Sequence, residues 1–129
     1  MDQNETKPKI LLVDDDNFLL DMYALKFKTT NFEFQTALGP EQALKILSEG
    51  FSPDFIALDI VMPVMDGFEL IEKIKNENLA PSTKFIVLSN QSQETDIEKG
   101  KALGVSDYIV KANLTPSEVV SRIVELSKK

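Results

Sequence analysis

Apolar positions along this chain switch repeatedly between two patterns. Ile10 to Val13 is a continuous β-prone run that stops at Asp14, Asp15 and Asp16. Asn17 to Lys28 then carries Leu20, Ala24 and Phe27 at the spacing of one helical face. Phe32 to Ala37 alternates as a strand, and Gly39 and Pro40 open a short helix that Gly50 closes. Asp54 to Asp59 reads as a buried strand, the apolar stretch Phe55 to Leu58 ending abruptly in Asp59. Phe68, Ile71 and Ile74 mark a third helix, which must end before Pro81. Phe85 to Leu88 is another buried-type run and ends in Ser89. Ser92 to Leu103 predicts a weak helix: polar, interrupted by Gly100, stopped by Gly104, and offering a core only Ile97, Ala102 and Leu103. Asp107 to Val110 is the last strand, followed by Lys111. The final helix has the strongest start signal. Thr115 and Glu118 form a capping box, Pro116 suits the first helical position, and Leu114 can staple onto Val119. Val119, Val120, Ile123, Val124 and Leu126 supply its buried face.

Continuous rather than alternating runs imply strands covered on both faces, hence a parallel sheet between two helical layers. Right-handed crossovers leave few topologies. The expected fold is α/β: a five-stranded doubly wound parallel sheet, order 2-1-3-4-5, with five helices. No internal repeat or interdomain linker is visible. Residues 1–8 read as a flexible leader and 9–127 as one domain.

Composition narrows the chemistry. At 129 residues the chain can bury roughly two thirds of its unfolded surface without staples. It contains no cysteine and no histidine, which removes disulfides, zinc sites and imidazole catalysis by this chain. A net charge of −7 argues against nucleic acid or an anionic membrane as a direct partner. No apolar run approaches the ~18 residues of a membrane span, and the polar start lacks a signal-peptide centre. A cytoplasmic location is the expectation.

Four of the five predicted strands end in chemically capable residues: Asp14 and Asp15, Asp59, Ser89 and Lys111. Taken alone, Asp59 would more often cap the next segment or solvate a loop, since turn positions favour aspartate. In the expected strand order, however, three carboxylates converge on one sheet edge. Two unit charges about 4 Å apart interact by roughly 4 kcal/mol at an effective dielectric of 20. Such a cluster raises at least one pKa or recruits a cation, and hard oxygen donors with room for water suit Mg²⁺. Lys111 adds a mobile positive charge, so the arrangement points to a metal-assisted phosphate site.

The ordered set resembles the receiver domain of two-component response regulators, whose fold is flavodoxin-like. The resemblance covers Lys9 to Leu126. It rests on Asp14–Asp15, on Asp59 followed by Met62-Pro63 and Met65-Asp66-Gly67, on Ser89, and on Tyr108 three residues before Lys111. It implies a phosphoacceptor rather than a classical enzyme. Asp59 would accept a phosphoryl group from a partner's phosphohistidine, on a sensor histidine kinase or His-phosphotransfer protein. Asp14, Asp15, Asp59 and the backbone carbonyl of Val61 would hold Mg²⁺. Lys111 and Ser89 would bind phosphoryl oxygens, and Ser89 with Tyr108 would switch the surface of the fourth helix, fifth strand and fifth helix. A downstream effector and a phosphorylation-dependent homodimer are the implied further partners, reached by this domain standing alone or within a longer chain.

Asp16 and Asn17 read as helix N-cap candidates, and Asp66–Gly67 as turn chemistry with a positive φ at Gly67. Ala112 stands where the family usually has proline, often cis, so a trans bond is expected here. Asn90 replaces a smaller residue. Val61 and Gln91 occupy positions that tune phosphoryl lifetime, and an apolar Val61 implies a long-lived aspartyl phosphate. The alternative is a pseudo-receiver, an interaction module that is not phosphorylated. A flavin-mononucleotide binder is disfavoured because Asp14 to Asp16 would repel its phosphate. A haloacid-dehalogenase-type phosphatase would want a hydroxyl where Phe18 stands.

Overall fold

Five parallel strands carry the molecule: Lys9–Asp14 (β1), Glu33–Leu38 (β2), Phe55–Asp59 (β3), Lys84–Ser89 (β4) and Asp107–Val110 (β5), in the order β2-β1-β3-β4-β5. They alternate with helices Asn17–Phe27 (α1), Pro40–Ser48 (α2), Gly67–Asn76 (α3), Glu94–Ala102 (α4) and Pro116–Ser127 (α5). This computed structural model describes residues 7–90 and 93–129. Most of the expected leader, together with Gln91 and Ser92, lies outside the described residues. The expected fold class, strand order and five helices are those observed.

Two apolar cores sandwich the sheet. Alternate residues of β1, β3 and β4 point to opposite faces. Leu11, Val13, Ile56, Leu58, Phe85 and Val87 meet α2 and α3 on one side, with Ala43, Leu47, Phe68, Ile71 and Ile74. Ile10, Leu12, Ala57, Ile86 and Leu88 meet α1 and α5 on the other, with Leu20, Tyr23, Phe27, Val119 and Ile123. Burying one such side chain contributes about 1.5–3 kcal/mol, so the central strands are locked by both layers. Leu114 and Val119 belong to the same cluster, as a staple onto α5 requires.

Three expectations need correction. Ala24 is only half-buried, and Tyr23 takes the core position between Leu20 and Phe27. Ala102 is exposed because it ends α4 on the solvent side, where Gly100 is the buried residue. Gly67 does not supply a positive φ. It opens α3, and what requires glycine there is closeness: a Cβ would overlap the Asp59 carbonyl oxygen and lie 2.9 Å from the Ile60 Cα. The positive φ in this loop belongs to Val64, at 72°.

Candidate functional site

Strand register assembles the site. Val13 pairs with Leu58, so the next residues, Asp14 and Asp59, stand side by side at the carboxyl ends of the two central strands. Asp59 pairs in turn with Leu88, and Ser89 with Val110. The Lys111 backbone N–H donates to the Ser89 carbonyl at 2.7 Å, which brings Lys111 onto the same rim. Open parallel sheets place ligand sites at this edge, where the chain direction splits.

Local capping then aims each carboxylate. Asp14 Oδ1 accepts from the Asp16 backbone N–H at 2.9 Å, folding the chain back over the strand end. Asp16 is the N-cap of α1 and accepts from the Leu19 N–H at 3.2 Å, as its position suggested. Beyond Asp59, the Gly67 N–H donates to the Ile60 carbonyl at 2.7 Å. Asp66 and Glu69 form a reciprocal capping box, at 2.9 and 3.0 Å, which fixes where α3 begins.

Asp14, Asp15 and Asp59 each offer a carboxylate oxygen within 4.8 Å of the others. Asp14 and Asp59 are buried and Asp15 is exposed. The Lys111 ammonium sits between two of them, donating to Asp14 Oδ2 at 3.1 Å and lying 3.6 Å from Asp59 Oδ2. Burial pushes the Asp14 carboxyl above the usual aspartate range, outweighing the pull of Lys111 and the bond from Asp16. Asp59 is raised for the same first reason, with Asp14 adding repulsion against the pull of Lys111. Desolvation pulls Lys111 down, but Asp14 and Asp59 together hold it above its ordinary value. The pocket is therefore short of positive charge. Two or three hard oxygen donors, one of them facing water, match the ligand set of a Mg²⁺ ion that keeps part of its hydration.

Residues 10–124 match the family model of the response regulator receiver domain. The chain belongs to that family. It is 35% identical over 130 aligned residues to the transcriptional regulatory protein PrrA of Mycobacterium tuberculosis, covering all of this chain and 54% of that protein. It is 32% identical over 117 residues to the response regulator SaeR of Staphylococcus aureus, covering 91% of this chain and 49% of that one. The receiver thus spans about half the length of these curated relatives. Among solved structures, the chemotaxis response regulator CheY4 of Vibrio cholerae superposes with a TM-score of 0.81 at 26% identity, covering 94% of this chain and 99% of that one.

Of the residues singled out for the site, the receiver brings Asp14, Asp15, Asp59 and Lys111 into one cluster, with buried Ser89 on the adjoining strand end. Val61 stands two residues past Asp59 with its side chain exposed. Tyr108 lies apart, half-buried on β5, in register with Val87 and packed against the α2–α3 core. No cis peptide bond occurs among the described residues, so Lys111–Ala112 is trans as expected. Two contributors are not anticipated from the sequence. The Asp66–Glu69 capping box, expected only as turn chemistry, carries a D-x-x-E spacing that is its available signal. Tyr23 lines a cavity of about 120 Å³ with Lys111 and Asn90, and its place on the Leu20–Phe27 face was the available clue.

Proposed function

We propose that this receiver takes a phosphoryl group from a partner phosphohistidine onto Asp59, in a site where Asp14, Asp15, Asp59 and the Val61 carbonyl hold Mg²⁺. The observation that carries this reading is the lysine wedged between two buried carboxylates, with a third within 4.8 Å. A structural ion pair needs one carboxylate per lysine, and extra buried charge costs several kcal/mol unless something compensates it. A divalent ion, when bound, supplies charge opposite the phosphoryl oxygens.

The residues then divide the work. An Asp59 carboxylate oxygen forms the new P–O bond while the P–N bond to the donor imidazole breaks, its electron pair leaving with that ring. Lys111 already points into the pocket and exchanges a carboxylate for a phosphoryl oxygen. The Ser89 hydroxyl donates to another. The added −1.5 to −2 charges then bias α4, β5 and α5 through Ser89, Lys111 and Tyr108. The donor is a sensor histidine kinase or His-phosphotransfer protein, and the readers are an effector or a second copy of the domain. Residues 9–127 form the acting unit, and a cytoplasmic setting follows from such donors. No helix among the described residues is long and apolar enough to cross a membrane.

Incubation with acetyl phosphate and Mg²⁺, followed by intact-mass spectrometry, tests the reading. One phosphoryl group is expected on the wild type and none on Asp59→Asn. Absence of labelling, or labelling that persists in Asp59→Asn, overturns it in favour of a module that only binds.

A further inference from the structure

The loop after Asp59 contains a strained turn with no evident internal use. The Met65 N–H donates to the Pro63 carbonyl at 2.8 Å, closing a three-residue γ-turn around Val64. Val64 has φ 72°, the form of this turn that is rare even for permissive residues. A β-branched side chain at positive φ is a steric outlier. Strain of this kind persists where surrounding structure enforces it, and it concentrates at functional sites.

The strain is not repaid by packing. Val64 is 92% exposed, the most exposed large apolar residue among those described, and nothing in the fold covers it. Its neighbours on the rim are similar. Val61 is 74% exposed on the same loop, and Phe18, at the start of α1, is 70% exposed just beyond the Asp14–Asp15 pair. Pro63 and Val64 also wall a groove of about 260 Å³ against Leu38, Gly39 and Pro40. Exposed apolar side chains therefore form a collar on the loops beside the acidic pocket, and one of them is held out at a cost to the free protein.

Resting on the phosphoacceptor reading, we infer that Val64 is a donor-selecting contact: the strained turn presents its side chain to the apolar surface around the histidine of the phosphodonor protein. Geometry favours this occupant over others. In-line transfer brings the phosphorus carried on the donor nitrogen to within about 3–3.5 Å of an Asp59 carboxylate oxygen, with the donor imidazole directly behind it, so the donor surface must come down over side chains that begin two residues away. A small acyl phosphate can enter the pocket without meeting that collar.

The test compares two donors on the same protein. Autophosphorylated histidine kinases are first ranked by transfer rate to the wild type, and the fastest is retained. Its rate and the acetyl phosphate labelling rate are then measured for Val64→Gly, Val64→Asn and Val64→Ile. For Val64→Gly and Val64→Asn the ratio of kinase rate to acetyl phosphate rate should fall about tenfold, the scale of one lost buried valine contact. Both variants should also melt several degrees higher, since glycine and asparagine accept positive φ. Val64→Ile should keep the ratio of the wild type. An unchanged ratio in Val64→Gly overturns the donor contact, and an unchanged or lower melting temperature in both variants overturns the strain. If the wild type accepts phosphate from neither donor, the phosphoacceptor reading falls and this inference with it. If it labels with acetyl phosphate and the ratio is insensitive to residue 64, only the inference falls.

Discussion

Helices α4 and α5 leave the same rim of the sheet, one after Ser89 and the other after Lys111, yet they are built very differently. The N-terminus of α5 is closed by the Thr115–Glu118 capping box, at 2.8 and 3.1 Å, with Pro116 at its first turn. It buries Val119, Val120 and Ile123 against α1 and the sheet. The N-cap of α4, Gln93, makes no side-chain capping bond, and the helix buries only Gly100. Ile97 is half-buried, and Leu103, just past the helix end, only packs against the α2–α3 core from its edge. Local stability follows buried apolar area and satisfied ends, so α4 opens or shifts at far smaller cost than α5. Under the proposed function, one charge event at the rim pulls on both connections, and the softer helix yields while the harder one keeps Lys111 in place.

The most direct way to break this comparison is to hollow each helix in turn. Ile123→Ala removes a fully buried side chain and should cost about 2–5 kcal/mol. Ile97→Ala should cost less than about 1 kcal/mol, because that side chain is already half in water. Urea denaturation of both variants checks the pair. Equal losses would mean that α4 is as firmly held as α5 and would remove the physical basis for its yielding first.

A second measurement probes the rim between them. Mg²⁺ at about a hundredfold its Kd should stabilise the protein by roughly 2.7 kcal/mol, a gain that EDTA abolishes. The metal-free protein should show the reason in its pH dependence. Burial holds the Asp14 and Asp59 carboxyls above the usual range despite Lys111. A carboxyl raised on folding binds more protons folded than unfolded between its two pKa values, so stability falls as pH rises through that window. The full penalty stands above it. Lys111, raised by Asp14 and Asp59 against desolvation, contributes stability that is lost only when pH climbs through its raised value, far above neutrality. Asp59→Asn should therefore raise the metal-free melting temperature at pH 7–8, with the gain shrinking as the pH is lowered through the carboxyl range. A lower melting temperature at neutral pH would show that the attraction of Lys111 outweighs burial.

The contrast between the two helices was largely legible before any coordinates. Thr115 and Glu118 announced the cap of α5, and the polar, glycine-interrupted stretch around Gly100 announced the weakness of α4. The strands were legible for a related reason: Ile10–Val13, Phe55–Leu58 and Phe85–Leu88 are apolar at every position, a pattern with few uses outside a doubly covered sheet. The candidate site was readable as a set of strand ends, because a parallel sheet gathers all its carboxyl ends on one edge. The spacing between Asp14 and Lys111 was not readable, since it depends on register across β1, β3, β4 and β5. Val64 escaped because valine carries no turn signal. Its conformation belongs to the turn that the Met65 N–H closes onto the Pro63 carbonyl, inside a loop whose two ends are tied by the bond from Gly67 to Ile60. Asp66–Glu69 carried the same spacing as the recognised cap and was passed over as turn chemistry.

Smaller substitutions sharpen the comparison at the helix ends. Thr115→Ala removes the hydroxyl that accepts from the Glu118 N–H and should cost about 1 kcal/mol, measured by thermal unfolding. The matching change at Gln93 should cost less, because its side chain does not cap the helix. A comparable loss at both positions would mean that the end of α4 is secured by contacts equivalent to a cap.

The finest adjustment is to stiffen α4 without touching the site. Gly100 lies inside the helix, where glycine is destabilising relative to alanine by roughly 0.5–1 kcal/mol. A Cβ added there would sit 3.5 Å from the Val105 side chain and 3.6 Å from the Phe68 ring, ordinary contact distances with no overlap to relieve. Gly100→Ala should therefore stabilise the protein by that amount and slow hydrogen exchange along α4 while leaving α5 unaffected. Its consequence for signalling follows from the same number. If α4 yields to the phosphoryl charge by partly unwinding, then roughly 0.5–1 kcal/mol of added helix stability opposes that response, since alanine favours the helical form over the unwound one. The exchange difference on α4 between unmodified and acetyl phosphate-treated protein should then shrink in Gly100→Ala. Should that difference persist at full size in a helix shown to be stiffer, the glycine would be there for its fit against Phe68 and Val105, and the softness of α4 would have to come from its uncapped start.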